Sequence, residues 1–170
     1  MRRLIGAALV TAGCAALGLG GAARLGGRVR DLGELAAGLD VLRRELGWRL
    51  APLPEALELA ARCVRGPAAA FFAQCAGGAG RLEGRVFQQV WQEGLEDGAL
   101  RLREGDRAAL ARLGPVLGRY DSDSQLQALD RTAAGLRRLQ EEAEDDRRRL
   151  GRVYAVLGVT AGLLAAITLL

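Results

Sequence analysis

Three groups of residues in this 170-residue chain have types and spacing that invite a chemical reading. Asp121, Ser122, Asp123, Ser124 and Gln125 imitate the opening of a calcium-binding loop. Such a loop needs Gly at its sixth position for the turn and Glu at its twelfth as a bidentate ligand, and here these are Leu126 and Thr132. Ser122 three residues ahead of Gln125 fits a capping box instead, in which two side chains satisfy backbone N–H groups left over at a helix start. Glu141, Glu142, Glu144, Asp145 and Asp146 could attract a divalent cation. However, Glu144 with Arg148 and Asp145 with Arg149 are partners at i,i+4, the pattern of a solvated helix face. Cys63 and Cys75 lack C-x-x-C spacing and any His neighbour, so both are expected to be buried packing residues. No metal, cofactor or catalytic group is expected.

What is missing points the same way. All 24 basic residues are Arg, and the chain has no Lys, His or Asn. That removes the P-loop lysine, the lysine Schiff base, the histidine-dependent triad and the histidine-ligated zinc site. The net charge is +4, yet 22 arginines and all 20 acidic residues lie between Arg24 and Arg152. Their interleaving makes a mixed-sign solvated surface and lacks the one-sided basic stripe of a nucleic-acid binder. The Ala, Gly, Leu and Arg richness is that of a GC-rich coding sequence, so the 24 glycines are weak turn markers.

The elements that would carry these residues begin with two uncharged stretches. Leu4 to Ala23 reaches about 30 Å as a helix and Val153 to Leu170 about 27 Å, close to the thickness of a bilayer's hydrocarbon core. Two transmembrane helices are expected, with residues 1–25 an N-terminal anchor, 26–152 a cytoplasmic helical bundle and 153–170 a C-terminal span continuous with the last bundle helix. Arg2 and Arg3 ahead of the first stretch also suit a signal peptide, and Thr11-Ala12-Gly13-Cys14 a lipoprotein cleavage box. Thr11 replaces the larger aliphatic residue of such a box, and uncharged sequence continues to Ala23, which favours an uncleaved anchor. Arg24, Arg28, Arg30, Arg147, Arg148, Arg149 and Arg152 on the inner flanks, against Arg2 and Arg3 outside, put the middle in the cytoplasm and both termini across the membrane. Small residues recur every four positions at Ala8, Ala12, Ala16 and Gly20, and at Gly158, Gly162 and Ala166. Close helix packing, within one molecule or in a homo-oligomer, explains the stripe, and so does composition alone.

Between the spans the apolar residues follow a helical period, which gives an all-α fold of about six helices. A first helix near Val29–Gly47 aligns Leu32, Leu35, Leu39, Leu42 and Leu46 on one face. A second opens at Pro54, with Leu53, Leu57, Ala60 and Val64 inward. Gly66 and Pro67 end it and start a third, with Phe71, Phe72 and Cys75, which unravels at Gly77, Gly78 and Gly80. A fourth holds Val86, Phe87, Val90, Trp91 and Leu95 and ends at Asp97 and Gly98. A fifth runs from Asp106 to Gly118 with Leu110, Leu113 and Leu117 inward, bent or shortened at Pro115. The last begins at Ser122, carries Leu126, Leu129, Ala133, Leu136, Gln140, Ala143, Arg147 and Leu150 along a heptad-like stripe, and continues into the second span. Its 48 residues form a rod of about 72 Å.

In order and spacing these segments resemble the stage III sporulation protein AB family over essentially the full chain. The resemblance is carried by Leu4-Ile5-Gly6-Ala7 and by Pro52-Leu53-Pro54-Glu55-Ala56-Leu57. Leu113-Gly114-Pro115-Val116-Leu117-Gly118 with Asp121, Asp123 and Gln125 is similar to the family's LGxxLG segment and the acidic helix start after it. Tyr154, Val156, Leu157, Gly158, Gly162, Leu163 and Leu164 close the match. Pro115 inside LGxxLG departs from the pattern.

The resemblance implies a helical domain like that of the type II secretion inner-membrane platform (GspF-like), anchored in the mother-cell membrane. It also implies work beside the stage III sporulation protein AA ATPase in the channel between mother cell and forespore. Pro52, Pro54, Glu55, Leu57, Gly114, Gly118, Asp121 and Gln125 are the candidate motif or partner-interface residues. Glu55 and Asp121, polar and at helix starts, are the ones expected to touch a partner. A helical signalling adaptor is the alternative, and a membrane enzyme ranks third.

Overall fold

Leu32, Leu35, Leu39 and Leu42 fall on one side of a helix and are completely buried, so the leucine stripe determines both the first element and its inward face. In the computed structural model, residues 26–81, 85–117 and 121–169 are described. The side chains of the last helix are included as far as residue 149, with Val153 and Thr160 beyond it. The elements are α1 (residues 26–48), α2 (Leu53–Cys63), α3 (Gly66–Ala79), α4 (Phe87–Glu96), α5 (Glu104–Ala111), α6 (Gly114–Leu117) and α7 (Ser122–Leu169). Among the described residues there is no strand. The chain divides into a unit Arg28–Glu141 and a second unit, Met1–Gly27 with Glu142–Leu170.

Within Arg28–Glu141, α2, α3 and α4 pack in sequence, and α4 also packs on α5 and α6. The core holds Leu57, Ala60, Phe71, Phe72, Cys75, Val90, Trp91, Leu110, Leu113 and Leu117 beside the α1 leucines. Phe71 stands edge-on to Trp91 with ring centroids 4.8 Å apart and to Phe72 at 5.2 Å. The Trp91 indole N–H donates to the Leu110 carbonyl at 2.9 Å, satisfying a buried donor. α1 and α7 run antiparallel. A Cβ on Gly33 would sit 3.0 Å from the Gln140 amide, and one on Gly47 3.0 Å from Leu126, with Asp40–Arg137 and Arg43–Asp130 ion pairs between. The polar Gln140 in the α7 stripe is thus received where α1 has no side chain.

Three glycines serve packing, not turns. A Cβ on Gly38 would lie 2.1 Å from the Phe72 ring, on Gly78 2.3 Å from Val90 and on Gly114 3.0 Å from Trp91. This corrects the expected unravelling at Gly77–Gly80: α3 continues to Ala79 because the bare face of Gly78 admits Val90.

Other details also differ from expectation. At Pro115 the expected helix is shortened and not bent: α5 ends at Ala111 and the single turn α6 follows, while Leu110, Leu113 and Leu117 remain buried as expected. α7 starts at Ser122, with Asp121 just before the helix and its carbonyl accepting the Gln125 N–H at 3.2 Å. Cys63 is exposed on the last turn of α2, whereas Cys75 is buried; both thiols are free. Val86 is 59% exposed, because it precedes α4 and does not share its inward face.

The strongest polar contact is one the charge pattern concealed. Arg28 donates from Nε and Nη2 to the two Asp106 oxygens, each at 2.8 Å, and both residues are buried. The Arg103 N–H also donates to Asp106 at 2.9 Å, fixing the start of α5. Burial pushes the Asp106 carboxyl up, but the hydrogen bonds from Arg28 and Arg103 and the attraction of both guanidiniums prevail and hold it below the usual carboxylate range. Arg28 therefore belongs to the core of this unit, although by its position it had counted among the flanking arginines.

In the second unit, Ala143 is buried, Glu144 and Arg148 pair at 3.8 Å, and a Cβ on Gly26 would lie 3.8 Å from the Arg147 side chain. Residues 4–23, the first expected span, lie outside the described residues. Among the described residues no helix is long and apolar enough to cross a membrane.

Candidate functional site

The end of α1 and the start of α7 enclose a groove of about 930 Å³. Its walls are Leu46 and Leu50 from α1 and the turn after it, Pro52, Leu53 and Pro54 from the start of α2, Arg85, Val86 and Gln88 around the start of α4, Gly114, Pro115 and Leu117 from α6, and Ser122, Gln125 and Leu126 from α7. Four helix starts meet here because proline punctuates two of them. Pro54 occupies the first turn of α2 and Pro115 that of α6, where a missing N–H costs nothing.

The groove joins motif residues far apart in sequence. Pro52, Pro54, Gly114 and Gln125 all line it. Glu55 and Asp121 are exposed beside lining residues, next to Pro54 and Ser122. Leu57 is elsewhere: it is wholly buried on the inward face of α2 and packs the core. Gly118, Ala12, Ala16 and Gly20 lie outside the described residues, and Gly158 and Gly162 fall within α7.

Three residues at this end were not anticipated. Trp48 is 84% exposed, Leu50 77% and Val86 59%. Leu50 also has a left-handed backbone, φ 52°, which costs a branched side chain about 1 kcal/mol and is retained here with the side chain in solvent. The signal was available in part, since Trp48 falls off the leucine stripe that ends at Leu46; the strain at Leu50 has no mark in the sequence.

Among the described lining residues the one charge is Arg85, whose guanidinium is 3.3 Å from Glu93. Arg49, next to Leu50, pairs with Glu45 at 3.4 Å. Both cations are thus already engaged. Cys75, buried in the core, stays a protonated thiol, because burial pushes it up to about 12.

A stage III sporulation protein AB family model matches residues 3–170. A solved structure of a stage III sporulation protein AB is 22% identical with a TM-score of 0.66; the match covers 72% of this chain and 98% of that one, a likeness of fold. No curated protein matches the sequence. With the family model spanning the two uncharged ends, the proline-flanked start of α2 and the segment from Leu113 to Gln125, the chain belongs to the stage III sporulation protein AB family.

Proposed function

We propose that this protein is a non-enzymatic platform in the mother-cell membrane, part of the secretion-like channel between mother cell and forespore. In that role it links the stage III sporulation protein AA ATPase to membrane components. Family membership supplies the sporulation role. The anchoring rests on the uncharged stretches Leu4–Ala23 and Val153–Leu170 and on the arginines that flank them, with both termini across the membrane from the bundle. The observation that carries the docking role is the convergence of Pro52, Pro54, Gly114 and Gln125 on one groove. Residues from three separate segments meet at a surface that the unit's own core leaves open, the arrangement expected of a binding face.

The test is photocrosslinking in sporulating cells with the full chain carrying a probe at position 55 or 121. The platform reading predicts an adduct with the ATPase and a sporulation defect on deletion. Deletion that alters transcription and leaves transport intact, with no such adduct, would establish the adaptor reading instead.

A further inference from the structure

We infer that the groove beside Leu50 receives an amphipathic helix of a partner protein, one whose apolar stripe is bordered by arginine or lysine. The apolar half of the argument is the exposure of Leu50 and Val86 at the mouth of a groove floored by Leu46, Leu53 and Leu126. A row of leucine-sized side chains at i, i+3, i+4 and i+7 is the ligand that such a trough of helix starts fits. Leu50 is held out of the core at a cost in backbone strain, which is how a contact residue is kept ready for a partner.

The charged half comes from the rim. Glu55 adjoins Pro54, and Asp121 and Asp123 flank Ser122, so three exposed carboxylates border the lining. Among the described residues none of the three makes an ion pair or side-chain hydrogen bond, whereas the rim cations Arg49 and Arg85 are paired with Glu45 and Glu93. Among the described residues next to the lining, the charges left without a partner are these three carboxylates. Complementary cations on the partner steer it to the groove, and the same carboxylates repel the anionic headgroups of a membrane surface, to which an exposed Trp48 would otherwise be suited. The inference concerns this surface alone and stands apart from the identity of the ATPase partner.

The test uses the full chain in phosphatidylcholine nanodiscs and two fluorescein-labelled 16-residue peptides. Each has leucine at i, i+3, i+4 and i+7, one with arginine and the other with glutamate at the bordering positions. Fluorescence anisotropy is expected to show the arginine peptide binding at least about tenfold more tightly, with the preference shrinking as salt rises. The combined variant Glu55→Gln, Asp121→Asn, Asp123→Asn is expected to abolish the preference. Leu50→Ser with Val86→Ser is expected to weaken the arginine peptide about tenfold, with circular dichroism unchanged because both side chains are already in solvent. Equal binding of the two peptides, binding of neither, or full binding by the Leu50→Ser, Val86→Ser variant would overturn the proposal. So would a blue shift of Trp48 emission on exchange into phosphatidylglycerol nanodiscs without peptide, which would assign the surface to lipid.

Discussion

The Phe72–Trp91 region and the groove beside Leu50 use apolar side chains in opposite ways. Around Trp91 every ring and leucine is covered, glycines are placed where a Cβ would collide, and the indole N–H has its acceptor. Around Leu50, apolar side chains stand in solvent, one on a strained backbone, and among the described residues Glu55, Asp121 and Asp123 form no ion pair. The first region is saturated and holds the fold. The second leaves Trp48, Leu50 and Val86 in solvent, where the proposed partner helix would cover the last two. Substitutions should separate the two regions cleanly.

The largest effects belong to the saturated side. Trp91→Ala removes a buried ring and is expected to cost about 3–5 kcal/mol in denaturant unfolding, whereas Trp48→Ala should stay within about 0.5 kcal/mol of the parent. Equal losses at the two tryptophans would erase the distinction. Asp106→Ala leaves Arg28 charged and buried without its carboxylate, at an expected cost of about 3–5 kcal/mol.

The same pair gives a pH dependence of defined sign. Because the folded-state pKa of Asp106 is lowered, acidification protonates the unfolded chain first. The pair's contribution is fully present above about pH 3.9 and is lost as pH falls through the lower folded value. Unfolding curves collected between pH 6 and 2 should show this loss in the parent and its absence in Asp106→Asn.

Smaller effects sharpen the role of glycine. Gly38→Ala places a methyl against the Phe72 ring and is expected to destabilise by about 1–3 kcal/mol despite alanine's better helix propensity. Gly77→Ala, one position before Gly78, meets nothing within 4 Å and should stabilise by up to about 1 kcal/mol. Thermal melts of the two variants that shift in the same direction would contradict this assignment. Leu50→Gly, smallest of all, relieves the left-handed backbone and should raise stability by about 1 kcal/mol or less while weakening peptide binding.

The helices were legible because leucine and phenylalanine spacing carries them. The stripe from Leu32 to Leu42 and the buried faces of Leu57, Phe72, Trp91 and Leu129 follow from period alone. The motif residues Pro52, Pro54, Gly114 and Gln125 were also legible, though not their meeting, since that depends on how four helix starts come together. Glycine misleads at Gly78, which reads as part of a helix end, and less at Gly114, which stands in the LGxxLG segment as a motif residue; the side chains that need their empty faces, Val90 and Trp91, are 12 and 23 positions away. The Arg28–Asp106 pair was hidden for a similar reason: 78 residues separate its members, and no local pattern distinguishes a buried arginine from a solvated one.

The proposed platform role requires the bundle to lie on the cytoplasmic side of a membrane, and Cys63 can report it. In a Cys14→Ser background its thiol is exposed, while Cys75 is buried and held protonated, so a membrane-impermeant maleimide should find Cys63 alone. Protoplasts of sporulating cells expressing the full chain should leave Cys63 unlabelled until they are permeabilised. Labelling in intact protoplasts would put the bundle outside the cytoplasm, away from any ATPase, and contradict the platform.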